Sequence, residues 1–248
     1  MDTRYWGPSG WRLLHLISFS PTPKRSDVCA FFNTLAYVLP CKYCRYSFSE
    51  NIAKDPIESA ESIPRWLWRM HNRVNAKLRK QHLCRSSDPS FQSVKKIYDQ
   101  RLETGCTRTV FEGWEFLFSV AEAHPLSRGG RVSTPIHGFP AGDMTDLEKN
   151  QWNLLEPEER MLYYNRFWRL LPAVLPFPEW SAVWQGEVPN TRKDLLKYLW
   201  KIRCEMETKL ELLNSTTYNS LCKELKEYRS GCANSVRGKT CRKKRSAS

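Results

Sequence analysis

Two cysteines separated by two residues, Cys41 and Cys44 in LPCKYCRYSF, are the side chains here whose spacing most directly implies chemistry. Thiols so spaced reach disulfide distance when the second opens a helix, and the unpaired amides and dipole at that helix end stabilise a thiolate. Pro40 fits a turn into such a helix, and Lys42 and Arg45 add positive charge. Further along, the helix-patterned run HNRVNAKLRK carries His71, Asn72, Asn75, Lys77 and Lys80. On a helix His71, Asn75 and Leu78 share one face and Asn72 lies on an adjacent strip, so the set can surround a planar cofactor. Lys77 and Lys80 are placed to neutralise a pyrophosphate as point charges.

Each of these residues also has an ordinary reading. A helix histidine is more often a structural hydrogen-bonder than a ligand contact, and surface lysines mostly solvate a face. A zinc site needs two more ligands at similar spacing, and the chain contains no second CxxC and no HxxxH, so no metal is expected. A thioredoxin-like site needs strands in a βαβ pattern, whereas the surroundings of Cys41 and Cys44 are helical on both sides.

Helical periodicity governs the segments that must hold these residues. Trp11, Leu14, Leu16 and Ile17 give one apolar stripe; Phe31, Phe32, Leu35, Val38 and Leu39 a second; Trp66, Leu67, Met70, Val74 and Leu78 a third. A further helix follows the Asp88-Pro89 turn, and residues 1–106 read as a compact helical bundle. From His124 to Asp146 the chain is rich in Gly, Pro, Ser and Thr and reads as a long loop. Helices resume with Glu156-Pro157 as an acidic, proline-bearing first turn and with Thr191 as a cap.

The two halves resemble each other. GWRLLHLISFSP from Gly10 matches GWEFLFSVAEAH from Gly113, FFNTLAYVLPCKYC matches FWRLLPAVLPFPEW, and LWRMHNRVNAKL matches LWKIRCEMETKL, in the same order. The second copy keeps bulk and loses chemistry: His15, Cys41, Cys44, His71 and Asn75 correspond to Phe118, Phe177, Trp180, Arg203 and Glu207. Chance matching of apolar helical blocks is the alternative. The expected fold is all-α, an active four-helix bundle over 1–106 followed by a degenerate bundle without a cofactor site over 107–230, then a basic tail over 231–248.

Composition narrows the setting. The 248 residues are 41% hydrophobic, enough for real cores, and contain no apolar run near the roughly 20 residues of a membrane helix. With no readable secretory segment, a soluble cytoplasmic protein is expected, placed in host cytoplasm or the virion for a viral source. Nine cysteines leave at least one unpaired within a monomer. The net charge of +13 favours anionic partners, and the run RGKTCRKKR from Arg237 to Arg245 reads first as a solvated tail and second as a localisation signal or nucleic-acid contact.

WGPSGWRLLH at Trp6 to His15, CKYC at Cys41 to Cys44, and HNRVNAKLRK at His71 to Lys80 together resemble the Erv/ALR family of FAD-linked sulfhydryl oxidases, and PCKYCR resembles the versions carried by large DNA viruses. The resemblance implies FAD in the mouth of the four-helix bundle, held by Trp11, His15, His71, Asn72, Asn75, Lys77 and Lys80, with Tyr98 as a further aromatic against the cofactor. It implies Cys44 beside the flavin and Cys41 facing the thiols of protein clients, with electrons passing to molecular oxygen to give hydrogen peroxide. It also implies a structural disulfide between Cys84 and Cys106, and pairing of bundles as homodimers. Family members often use a second, shuttle dithiol; Cys222, Cys232 and Cys241 are the candidates, against a local disulfide plus a free tail thiol. The rival class is a non-enzymatic basic binding or scaffold protein whose dithiol is only structural.

Overall fold

The computed structural model describes residues 1–83, 86–105, 111–127, 134–211 and 216–229, and every regular element in them is helical. The first half is α1 (Thr3–Phe19), α2 (Arg25–Val38), α3 (Lys42–Lys54), a single 3-10 turn (Ile57–Ser59), α4 (Ile63–Lys80) and α5 (Phe91–Thr104). The second is α6 (Trp114–Glu122), α7 (Asp146–Gln151), α8 (Pro157–Val174), α9 (Pro178–Ser181), α10 (Arg192–Lys209) and α11 (Tyr218–Arg229).

The helix ends follow from local chemistry. Asp2, Ser62, Ser90 and Thr191 accept from backbone amides of the first turns they precede, satisfying donors that have no partner inside a helix. Thr145 with Glu148 and Glu156 with Glu159 form reciprocal capping boxes, and Pro157 opens α8 as the acidic run predicts. Cys41 is the N-cap of α3, so Cys44 stands in the helix's first turn, where the unpaired amides point.

The apolar stripes meet as the periodicity demands. Leu13, Leu16, Ile17, Phe31, Phe32, Leu35, Trp66, Leu67 and Met70 are buried together between α1, α2 and α4, with α5 laid against α1. The second half does not stand apart. Helix α6 packs on α1, α8 lies along α2, α7 covers α3, and the buried side chains of both halves form one continuous core.

The pairing of matched segments is reciprocal. Gly10 abuts the Phe116 ring, so that a Cβ there would sit 3.2 Å from it, and Gly113 abuts Leu13, where a Cβ would meet Cδ2 at 2.6 Å. Gly10 corresponds to Gly113 in the repeat, and Leu13 to Phe116. Phe31 stacks on its own counterpart Phe167 with centroids 5.1 Å apart.

Candidate functional site

Where α1, α3, α4 and α5 converge, a cavity of about 610 Å³ opens, lined by Trp11, Cys44, His71, Asn75, Lys77 and Tyr98 among others. Its volume falls in the range of sites that hold drug-sized and cofactor-sized ligands. Helix α4 contributes His71, Asn75 and Leu78 from one face, as the one-turn spacing predicts.

Aromatic rings build one wall. Trp11 stacks face to face on His71 with centroids 4.0 Å apart, and His71 Nδ1 lies 3.0 Å from His15 Nε2, so one ring donates and the other accepts. Burial pushes His15 down to about 3, with His71 a smaller cause, and pushes His71 down to about 4; both rings are neutral at ordinary pH. Tyr98 continues the stack on His15 at 5.2 Å and on Phe19 at 5.5 Å, and burial raises its phenol to about 12. His15 stands behind His71 as its orienting partner, and its buried Nδ1 has no hydrogen-bond partner.

Polar anchors sit around the rim. Asn75 Nδ2 donates to Asp88 Oδ1 at 3.0 Å, and Arg79 pairs with the same carboxylate at 2.6 Å, which pins the Asp88-Pro89 turn to α4. Lys77 donates to Ser47 Oγ. The wall therefore presents stacked rings, a lysine and a redox-capable sulfur, a donor set that fits a planar ring system joined to a pyrophosphate. FAD has those parts.

Of the remaining expected residues, Asn72 is half-buried on α4 and Lys80 is exposed at its end, both outside the cavity wall. Cys41 is 4% exposed. Cys222 is half-buried on α11 and does not line the cavity. Cys84, Cys106, Cys232 and Cys241 lie outside the described residues, so the expected disulfide and two of the three shuttle candidates have no structural account. Among the described residues no cluster of three or more His, Cys, Asp or Glu side chains can hold a metal ion, and no helix is long and apolar enough to cross a membrane.

Several lining residues escaped the sequence reading: Arg4, Arg12, Ser47 and Phe116, while Val74, read there only as part of an apolar stripe, also lines the cavity. Ser47 stands one turn after Cys44, a signal available at i+3. Phe116 comes from the other half, and nothing local in the sequence places it there.

At the corresponding places of the second half the space is filled. Phe118 is buried, and Phe177 meets Trp180 edge to face at 4.8 Å. Arg203 and Glu207, the counterparts of His71 and Asn75, pair with each other at 2.7 Å.

A helical bundle with a dithiol at one helix N-terminus, set against an aromatic cofactor-sized cavity, defines a class of flavin-linked thiol redox proteins. The Erv1 / Alr family model matches residues 8–99, and the chain belongs to that family. It is 31% identical over 105 residues to the FAD-linked sulfhydryl oxidase of African swine fever virus (isolate Tick/Malawi/Lil 20-1/1983), spanning 40% of this chain and 83% of that protein. It is 35% identical over 86 residues to the mitochondrial FAD-linked sulfhydryl oxidase ERV1 of Saccharomyces cerevisiae, spanning 32% of this chain but 46% of the yeast protein. A probable FAD-linked sulfhydryl oxidase of Acanthamoeba polyphaga mimivirus is 32% identical over 85 residues, 30% of this chain and 59% of that one. No solved structure matches the chain significantly.

Proposed function

We propose that this chain is an FAD-linked sulfhydryl oxidase that forms disulfides in thiol-bearing protein clients. One observation carries the reading: Cys44 stands in the wall of the same cavity as the stacked Trp11 and His71. Trp11, His71 and Tyr98 would flank the cofactor's rings and Lys77 would face its phosphates. When bound, FAD supplies the two-electron acceptor for the dithiol and the link to molecular oxygen, with hydrogen peroxide as product.

The protein's own part is thiol exchange. A client thiolate attacks Cys41 Sγ, the Cys41–Cys44 disulfide breaks, and Cys44 leaves as a thiolate. The client's second thiolate then attacks the mixed disulfide, releasing oxidised client and the Cys41 thiolate, so two electrons have moved from client to protein. Because Cys41 is 4% exposed, a client reaches it only through local opening around the α3 N-terminus. Cys44, inside the cavity, is the sulfur next to the cofactor.

The second half, 107–230, is a degenerate copy of the first that serves as its built-in packing partner. Support comes from the reciprocal contacts: Gly10 on Phe116 and Gly113 on Leu13, with Phe31 on Phe167. In an isologous two-fold interface, matched residues meet each other in this way. The α1 and α2 faces are thereby covered within one chain, and the protein is a monomer; light scattering reads the mass directly, and a stable dimer would overturn this.

Purified protein that is yellow, bleaches under anaerobic dithiothreitol and consumes oxygen with thiols supports the oxidase. Cys44→Ser should abolish oxygen consumption and leave the flavin bound. A colourless protein, or turnover that survives the substitution, favours the rival scaffold reading or a different electron route.

A further inference from the structure

The side-chain amide of Asn75 has a donating end and an accepting end, and its neighbours fix which of them the cavity receives. Asn75 lies one turn after His71 on α4 and lines the cavity wall beside it. Its Nδ2 donates to Asp88 Oδ1 at 3.0 Å. Arg79, one turn further along α4, grips the same carboxylate, with Nη1 donating to Oδ1 at 2.7 Å and Nη2 to Oδ2 at 2.6 Å. That two-pronged hydrogen bonding is the chief cause that holds Asp88 below the ordinary carboxylate range, so the group is ionised at neutral pH.

An ionised carboxylate accepts hydrogen bonds and donates none. The end of Asn75 that faces Asp88 is therefore its NH2 group, and the usual ambiguity between the two ends of an amide does not arise. The carbonyl oxygen Oδ1 is the end left over, without a hydrogen-bond partner among the described residues. Asp88 has no freedom to turn away. On one side of it the Ser86 carbonyl accepts from Arg79 Nη1 at 3.4 Å, and on the other the Pro89 carbonyl accepts from Trp68 Nε1 at 3.0 Å. Ser90 then caps α5, the helix that brings Tyr98 to the same cavity. The carboxylate is thus fastened to α4 from both flanks.

We propose that Asp88 is a positioning residue for the cofactor: by drawing the Asn75 nitrogen to itself it leaves the carbonyl oxygen for the cavity, and so selects a ligand that brings an N–H or O–H donor to that place. An amide free to turn would offer a donor as readily as an acceptor, and that selection would be lost. FAD carries such donors on its ring imide, its adenine amino group and its ribityl chain. The assignment rests on the oxidase reading, in which FAD is the occupant.

The test measures FAD affinity of the full-length protein by fluorescence titration, with no turnover involved. Asp88→Ala should weaken binding about tenfold. Exchanging the two side chains separates positioning from mere support of the fold. Asn75→Asp alone sets two carboxylates against each other and Asp88→Asn alone leaves two amides free to turn, so each should lose about tenfold. In the double variant Asn75→Asp/Asp88→Asn the pair is complementary again: the carboxylate at 75 accepts from the new amide, stands one turn from Arg79 and keeps an oxygen for the cavity. Affinity should return to within about threefold of wild type, whereas independent losses would multiply to about a hundredfold. The multiplied loss, or an unchanged affinity in an Asp88→Ala protein with the wild-type circular dichroism spectrum, overturns the assignment. Should Asp88→Ala not fold, the double variant decides alone. Wild-type protein that takes up no FAD overturns the oxidase reading and this assignment with it; wild-type binding without rescue in the double variant overturns the assignment only.

Discussion

Gly113→Ala tests the interface at its tightest point. Gly113 is the N-cap of α6 with φ at +124, a backbone conformation that L side chains rarely adopt. Such a conformation costs a non-glycine residue about 1–3 kcal/mol. The added methyl would also meet Leu13 Cδ2 at 2.6 Å and its Cβ and Cγ at 3.3 Å, and Leu13 is fully buried and cannot swing aside. Overpacking of that kind costs a further ~1–3 kcal/mol. The sum, about 2–6 kcal/mol, corresponds for a chain of this size to a melting-point drop on the order of 10 °C. The reciprocal Gly10→Ala behaves differently. Gly10 is inside α1, its methyl would sit 3.2 Å from the Phe116 ring, and the gain in helix propensity of about 1 kcal/mol offsets the squeeze. Thermal melts by circular dichroism should rank wild type and Gly10→Ala close together and Gly113→Ala far below. A Gly113→Ala protein melting within 2 °C of wild type, a shift of roughly 1 kcal/mol or less, would refute the packing argument.

Acid should loosen the cavity. His15 and His71 are held neutral in the fold, at about 3 and about 4, against the ordinary histidine value of 6.5, so their neutrality supports stability above 6.5 and that support is lost as pH falls toward 4. Melting temperature followed from pH 7.5 to 4.5 should decline, and less steeply in His15→Gln; parallel curves would sink the assignment. Trp11→Ala removes the ring stacked on His71 and should weaken FAD binding at least tenfold, about 1.4 kcal/mol, by fluorescence titration. Asp55 clamps Arg69 and Arg73 at 3.0 Å each, and the Arg69 hydrogen bond is the chief cause that holds its carboxyl below the ordinary range. Asp55→Asn should therefore cost about 1–2 kcal/mol in urea unfolding near neutral pH, and the difference should shrink as acid protonates the wild-type carboxylate.

What could be read from the residues was whatever depends on local spacing. The shared face of His71 and Asn75, the Glu156-Pro157 start and the Thr191 cap all follow from periodicity and capping chemistry, which act within a turn or two; the helix beside the dithiol was expected to open at the second cysteine, whereas Cys41 is its N-cap and makes no side-chain cap bond. Asn72 and Lys80 went the other way: the helix register that aims His71 and Asn75 inward turns these two from the cavity. Arg4 and Phe116 reach the wall through packing between distant segments. The collinear blocks led to the expectation of a repeat. They did not reveal that matched helices would face each other, which is settled by the side chains meeting at Gly10, Gly113 and Phe31.

Covalent continuity between α1 and α6 alters how their contact responds to concentration. Separate chains joined through such a surface come apart on dilution, whereas here the local concentration of one half around the other is set by the connecting backbone and is the same in every solution. Specific activity should therefore stay constant from micromolar to nanomolar enzyme. A change on one side of the seam is also not copied onto the other, so the two sides can carry different residues, as they do at Leu13 and Phe116.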